Sequence, residues 1–138
     1  LLIVDEPTVG LDPEERVRFR QLLSDLAGDR IILFSTHIVS DVEATASRIV
    51  LMNQGRLLRD ATPSELISGL KGKVWELETM PEQLGAYKQN FLVTASLHRN
   101  DHLNLRIVHP EKPAENAVPA APTLEDVYLA NIQNGTGA

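Results

Sequence analysis

The chain has 138 residues, enough for one ordinary domain or two small ones, and 43% of them are hydrophobic, which can supply a real core. A formal charge of -6, with 13 scattered Lys and Arg against 19 Asp and Glu, argues against a protein that grips a nucleic-acid backbone. The absence of cysteine excludes disulfides and thiolate metal sites, and no run approaches the roughly 18 apolar residues of a membrane helix, so a membrane role would have to run through a partner.

Leu1, Leu2, Ile3 and Val4 run without alternation into Asp5 and Glu6, as a strand covered on both faces does when it ends at a polar edge. In open α/β sheets that edge is where ligands bind. A buried parallel strand needs neighbours on both sides, and this one starts at Leu1, so the sequence reads as a piece of a longer chain. Asp12, Pro13 and Glu15 mark a helix start: an N-cap acid, proline at the first position and a capping-box Glu. The helix is expected over residues 13–27, with Phe19, Leu22, Leu23 and Leu26 as its buried stripe and Gly28 at its C-terminal cap. Residues 30–34 form a second short apolar run. Strand, helix and strand make a βαβ unit with parallel strands and a right-handed crossover. Ser35, Thr36 and His37 should then emerge at the edge that carries Asp5 and Glu6.

A second helix is expected over residues 38–47, with Ile38, Val42 and Ala46 on one face. Residues 48–52 and 56–59 read as a hairpin about Asn53, Gln54 and Gly55, and Thr62 with Glu65 caps a short helix ending near Gly69. From Gly72 the pattern changes. Trp75 and Leu77 alternate with Glu76 and Glu78, which reads as a half-buried strand whose acids face solvent. A helix is expected over residues 81–90, followed by an antiparallel hairpin in which Phe91, Val93, Ala95 and Leu97, then Leu103, Leu105 and Ile107, form the apolar face. His98 and His102 flank its turn, so their spacing carries no metal argument. Residues 110–122 hold four of the eight prolines and read as a semi-rigid linker or long loop. Thr123 caps a last helix that can return Leu124, Val127 and Tyr128 to the sheet, and residues 134–138 read as a disordered tail.

Two chemistries suit the opening edge. One of the adjacent carboxylates can hold Mg²⁺, which prefers hard oxygen ligands, and the other can polarise a water for attack on a phosphoryl group. The plainer alternative is an Asp that ends a strand beside a solvated Glu. His37 could join either arrangement as a polar neighbour or a catalytic one. Asp12 has a helix-capping role whatever else it does. No G-x-x-x-x-G-K-[ST] phosphate loop occurs, because position 67 is Ile and Gly72-Lys73 is followed by Val74.

Taken in order, these residues resemble the second half of the nucleotide-binding domain of ABC transporters. The opening strand with Asp5 and Glu6 resembles a Walker B motif, Gly10-Leu11-Asp12 a D-loop, and Thr36-His37 a switch histidine. The hairpin through Asn53 and the helix at Thr62 resemble the segments that follow in this family, and the segment from Thr123 to Leu129 resembles the closing helix of an accessory region in the ABC-2 drug and polysaccharide exporter branch. The resemblance implies an α/β fold: a partial P-loop NTPase-type parallel sheet over residues 1–70, then a small α+β domain with antiparallel strands over residues 71–138. It further implies ATP and Mg²⁺ as cofactors, with Asp5 toward Mg²⁺, Glu6 and His37 as catalytic groups, and Asp12 at a contact between two ATPase subunits. A membrane permease and a second ATPase subunit would be the partners, at the cytoplasmic face of the membrane. Walker A, the Q-loop and the L-S-G-G-Q signature are absent, so this piece alone is expected not to turn over ATP. Alternatives are a regulatory, dimerising or permease-contacting module over residues 71–138, and a soluble ATPase of the same superfamily with no transport task.

Overall fold

The computed structural model describes residues 1–135, which form a mixed α/β structure in two compact units, Leu1–Ile49 and the chain from Val50 onward. The division expected at residue 70 falls inside the second unit. Residues 136–138, the end of the expected disordered tail, lie outside the described residues, while the last helix continues through Gly135.

In the first unit β1 (Leu2–Asp5) leads through a loop to α1 (Pro13–Leu26), β2 (Ile32–Ser35) and α2 (Val39–Thr45). β1 and β2 are parallel, and among the described residues they are each other's only strand partners. That explains one departure from the sequence. Leu2 and Ile3 are 37% and 67% exposed rather than covered on both faces, because a two-stranded sheet has no further strands or layers to bury them. The α1 stripe is likewise incomplete: Leu23 is buried, Phe19 and Leu26 are half-buried, and Leu22 is exposed. Gly28 does not take a left-handed φ; α1 ends on Ala27 in a right-handed conformation, its N–H donating to the Leu23 carbonyl.

The second unit opens with a paired hairpin, β3 (Ile49–Asn53) and β4 (Arg56–Ala61). Gln54 and Gly55 both have positive φ, 48° and 74°, the conformation a two-residue turn with native strand twist requires. The helix α3 (Pro63–Ser68) carries the expected Thr62–Glu65 capping box. Next come β5 (Val74–Thr79), a 3₁₀ turn at Pro81–Gln83, α4 (Leu84–Asn90), β6 (Leu92–Arg99), β7 (His102–Val108), β8 (Val118–Pro119) and α5 (Leu124–Gly135). Their strands form an antiparallel sheet in the order β6-β7-β5-β8. Leu77, Leu103, Leu105, Ile107 and Ala117 make the core on one face, with Trp75, Leu84, Tyr87, Phe91 and Val93 packed against it. Each large side chain so buried stabilises the fold by about 1.5–3 kcal/mol.

Three expectations for this unit are corrected. The alternation along β6 breaks at Thr94, where Val93 faces Ile107 but Ala95 faces Arg106. Thr94 is the extra residue of a β-bulge, and a shift of one residue moves Ala95 and Leu97 off the core face, leaving Leu97 57% exposed. Of the two readings of the Pro-rich stretch the long loop holds and the linker does not: the loop buries Ala117 and adds β8 along β5, Val118 opposite Glu76. Glu76 is not merely solvated, because its Oε1 accepts from Arg106 Nη1 at 2.7 Å.

Arg106 ties the second face of the sheet together. Besides Glu76 it donates to both Asp126 oxygens on α5, from Nε at 3.1 Å and from Nη2 at 2.8 Å, and to the Ala121 carbonyl. Asp126, 1% exposed, also accepts from Thr94 Oγ1 at 2.7 Å and from the Thr123 N–H at 2.9 Å. Burial pushes the Asp126 carboxyl up, but the hydrogen bonds from Arg106, Thr94 and Thr123 outweigh it and hold the group below its ordinary 3.8. A depressed carboxyl contributes stability that is present above pH 3.8 and lost as pH falls through the folded-state value. Arg106→Met should therefore destabilise the chain by about 3–5 kcal/mol in urea unfolding at neutral pH, since it strands a buried carboxylate. The wild-type chain should also lose stability below pH 3.8 by a contribution that the Arg106→Met, Asp126→Leu double variant lacks.

Candidate functional site

The two parallel strands of the first unit end together. Their register sets Leu2 opposite Ile32, Ile3 opposite Leu33, Val4 opposite Phe34 and Asp5 opposite Ser35. The Ser35 hydroxyl donates to Asp5 Oδ1, and one residue later the Glu6 N–H donates to the Ser35 carbonyl at 2.9 Å. Glu6 itself lies in the left-handed region, with φ of 45°, a conformation uncommon for a residue other than glycine and enriched at functional sites. Beyond that bend Glu6 Oε1 lies 2.9 Å from His37 Nδ1. The pair is accessible: the His37 side chain is 69% exposed and that of Glu6 36%.

The structure thus brings Asp5, Glu6 and His37 to one sheet edge, as their sequence positions imply. Glu6 Oε2 is buried and has no hydrogen-bond partner among the described residues. An ionised Glu6 accepts Nδ1–H from a neutral imidazole, which leaves His37 Nε2 as an acceptor; a protonated imidazole presents Nε2–H as a donor instead. The edge can therefore orient or polarise a water and contact an anionic oxygen. Asp5 and Glu6 supply hard carboxylate oxygens of the kind Mg²⁺ takes. Among the described residues no group of three His, Cys, Asp or Glu could hold a metal unaided. A cation at this edge would need further oxygens from its ligand and from water.

Asp12 is used by its own helix. Its Oδ1 accepts from the Glu15 N–H at 2.8 Å, and Glu15 Oε2 accepts from the Asp12 N–H at 3.4 Å, completing the capping box. Between Glu6 and Asp12 the loop turns at Gly10, with φ of 82°, and holds hydrogen bonds from Val9 N–H to the Glu6 carbonyl and from Leu11 N–H to the Thr8 carbonyl.

Two buried residues close in sequence to Glu6 and His37 escaped the sequence reading. Thr8 and Asp41, each 2% exposed, are joined by a hydrogen bond from the Thr8 hydroxyl to Asp41 Oδ2. Asp41 stands in the first turn of α2, beside Val42, and the sequence held no local signal that it would be buried.

No protein-family model matches the chain. Its homologues among known proteins are ATP-binding proteins of ABC transporters, each matched over part of its length. The energy-coupling factor transporter ATP-binding protein EcfA2 of Ligilactobacillus salivarius is 37% identical over 70 residues, 49% of this chain and 24% of that protein. The Nod factor export ATP-binding protein I of Rhizobium etli is 28% identical over 142 residues, 94% of this chain and 44% of its own length. ATP-binding cassette sub-family A member 9 of Homo sapiens is 44% identical over 57 residues, 41% of this chain and 4% of that protein. The chain thus spans less than half the length of each.

Loss of the capping box should be measurable apart from any chemistry. Asp12→Ala is expected to lower stability by about 1 kcal/mol in urea unfolding, and Asp12→Asn, a comparable N-cap, to lower it by a few tenths at most.

Proposed function

We propose that in the intact protein this chain supplies the hydrolytic edge of an ATP site that drives an ABC-type membrane exporter. The observation that carries the proposal is the Glu6–His37 pair, 2.9 Å apart at the shared end of two parallel strands, in a chain homologous to ABC transporter ATP-binding proteins. In this reading Glu6 is the general base or water-polarising group. His37 contacts the γ-phosphate and helps hold that water. Asp5 would hold Mg²⁺, directly or through a water, and the ion would supply positive charge toward the phosphate oxygens. Asp12, besides capping α1, lies at the contact with a second ATPase subunit.

The export assignment is supported by the near-complete alignment with the Nod factor export protein, which takes in most of both compact units. A permease would be the other partner, with the ATPase held peripherally at the cytoplasmic side of the membrane. No helix among the described residues is long and apolar enough to cross a membrane. The P-loop NTPase-type sheet implied by the family fits the parallel β1–β2 pair and its helices.

Phosphoryl transfer rests on positioning and neutralising the phosphates, and the sequence holds no G-x-x-x-x-G-K-[ST] loop to cradle them. The chain of residues 1–138 should therefore show no ATP hydrolysis above background in a phosphate-release assay. In the full-length protein Glu6→Gln should reduce turnover at least 100-fold while ATP still binds, as read by steady-state kinetics and equilibrium binding of a fluorescent ATP analogue. Unchanged hydrolysis in Glu6→Gln would refute the proposal.

A further inference from the structure

We infer that Thr8 and Asp41 are positioning residues for the Glu6–His37 pair, a second and buried rung that holds the first in place; the inference rests on the proposed hydrolytic role of that pair. The two rungs join the same two segments. Glu6 precedes Thr8 by two residues on the loop after β1, and His37 precedes Asp41 by four on the segment that enters α2. The upper rung is exposed and joins Glu6 Oε1 to His37 Nδ1; the lower is closed to solvent and joins the Thr8 hydroxyl to Asp41 Oδ2.

The lower rung has features that packing alone does not ask for. Asp41 is a carboxylate 2% exposed in the first turn of a seven-residue helix, and its Oδ1 has no hydrogen bond, the nearest cation being Arg20 Nε at 3.8 Å. An apolar pair of similar volume would commonly serve stability as well as a buried polar contact does. What the polar contact adds is direction, since a hydroxyl–carboxylate hydrogen bond is short and angle-dependent where apolar contacts slide. Helix α2 contributes further anchoring, the Asp41 N–H donating to the Ile38 carbonyl at 3.1 Å and the Thr45 hydroxyl to the Asp41 carbonyl at 2.6 Å. On the other segment two residues can reach at most about 7 Å, so a displaced Thr8 carries Glu6 with it. A misplacement of about 1 Å at a reacting group can cost on the order of 100-fold in rate. The rung thus bears on the chemical step more than on ATP binding.

The test uses the full-length protein with Mg²⁺-ATP, comparing wild type, Thr8→Val, Thr8→Ser and Glu6→Gln. Thr8→Val keeps the volume and removes the hydroxyl; it should lower kcat at least 10-fold with KM for ATP within 2-fold of wild type. Thr8→Ser restores the donor and should return kcat to within 2-fold. Thr8→Ala takes the place of Thr8→Val if the latter does not accumulate as folded protein. A kcat within 2-fold of wild type in the hydroxyl-free variant, beside a dead Glu6→Gln, overturns the positioning role and leaves the hydrolytic assignment standing. A Thr8→Ser variant as slow as Thr8→Val also overturns it, because the methyl and not the hydroxyl would then matter. A fall in kcat that only matches a smaller ATP-binding fraction reduces the rung to a stability contact. Full activity in Glu6→Gln removes the hydrolytic assignment itself, and this inference with it.

Discussion

Asp5 lies opposite Ser35 because β1 and β2 pair in parallel with their C-terminal ends level, and the chemistry of the first unit follows from that register. A slip of one residue would turn every side chain of one strand to the other face, and would carry Ser35 and its carbonyl away from Asp5 and the Glu6 N–H. The left-handed bend at Glu6 depends on the same carbonyl, since the hydrogen bond to Ser35 is the last one before the chain turns off the sheet. Backbone pairing thus comes first, the bend second, and the carboxylate–imidazole contact third.

The second unit solves a different problem. Its sheet has one face with an apolar core built from Leu77, Leu103, Leu105 and Ile107, and a second face on which a guanidinium, two carboxylates and a threonine hydroxyl meet. The bulge at Thr94 sets Ala95 rather than Thr94 opposite Arg106, and the Thr94 hydroxyl donates to Asp126 on that face. Only a multidentate cation could satisfy so many acceptors at once. Lysine, with one compact ammonium group, could not span Glu76, Asp126 and the Ala121 carbonyl in this fork.

Local signals survived the passage from sequence to structure where their physics is local. The capping boxes at Asp12 and Thr62 and the turn at Gly55 depend on a handful of neighbouring atoms, and each is found where its residues sit. The parallel pairing of β1 with β2 was legible because a short βαβ unit leaves few alternatives. Burial was less legible. Leu2, Ile3 and Leu22 have the pattern of covered residues yet stand in water, because hydrophobic periodicity reports which face wants cover and not whether cover is present. The bulge at Thr94 and the burial of Asp41 were hidden for another reason: each depends on partners about 10 to 30 positions away, Arg106 and Asp126 in one case and Thr8 in the other.

The partners of the Arg106 guanidinium come from positions 76, 121 and 126, so its charge is met by segments made both before and after it. As the chain leaves the ribosome, β5, β6 and β7 can zip together while the guanidinium between them still lacks the carboxylate that buries it. Until α5 arrives that face must remain hydrated. The final helix therefore closes that face last, because it alone supplies the carboxylate that Nε and Nη2 of Arg106 both contact.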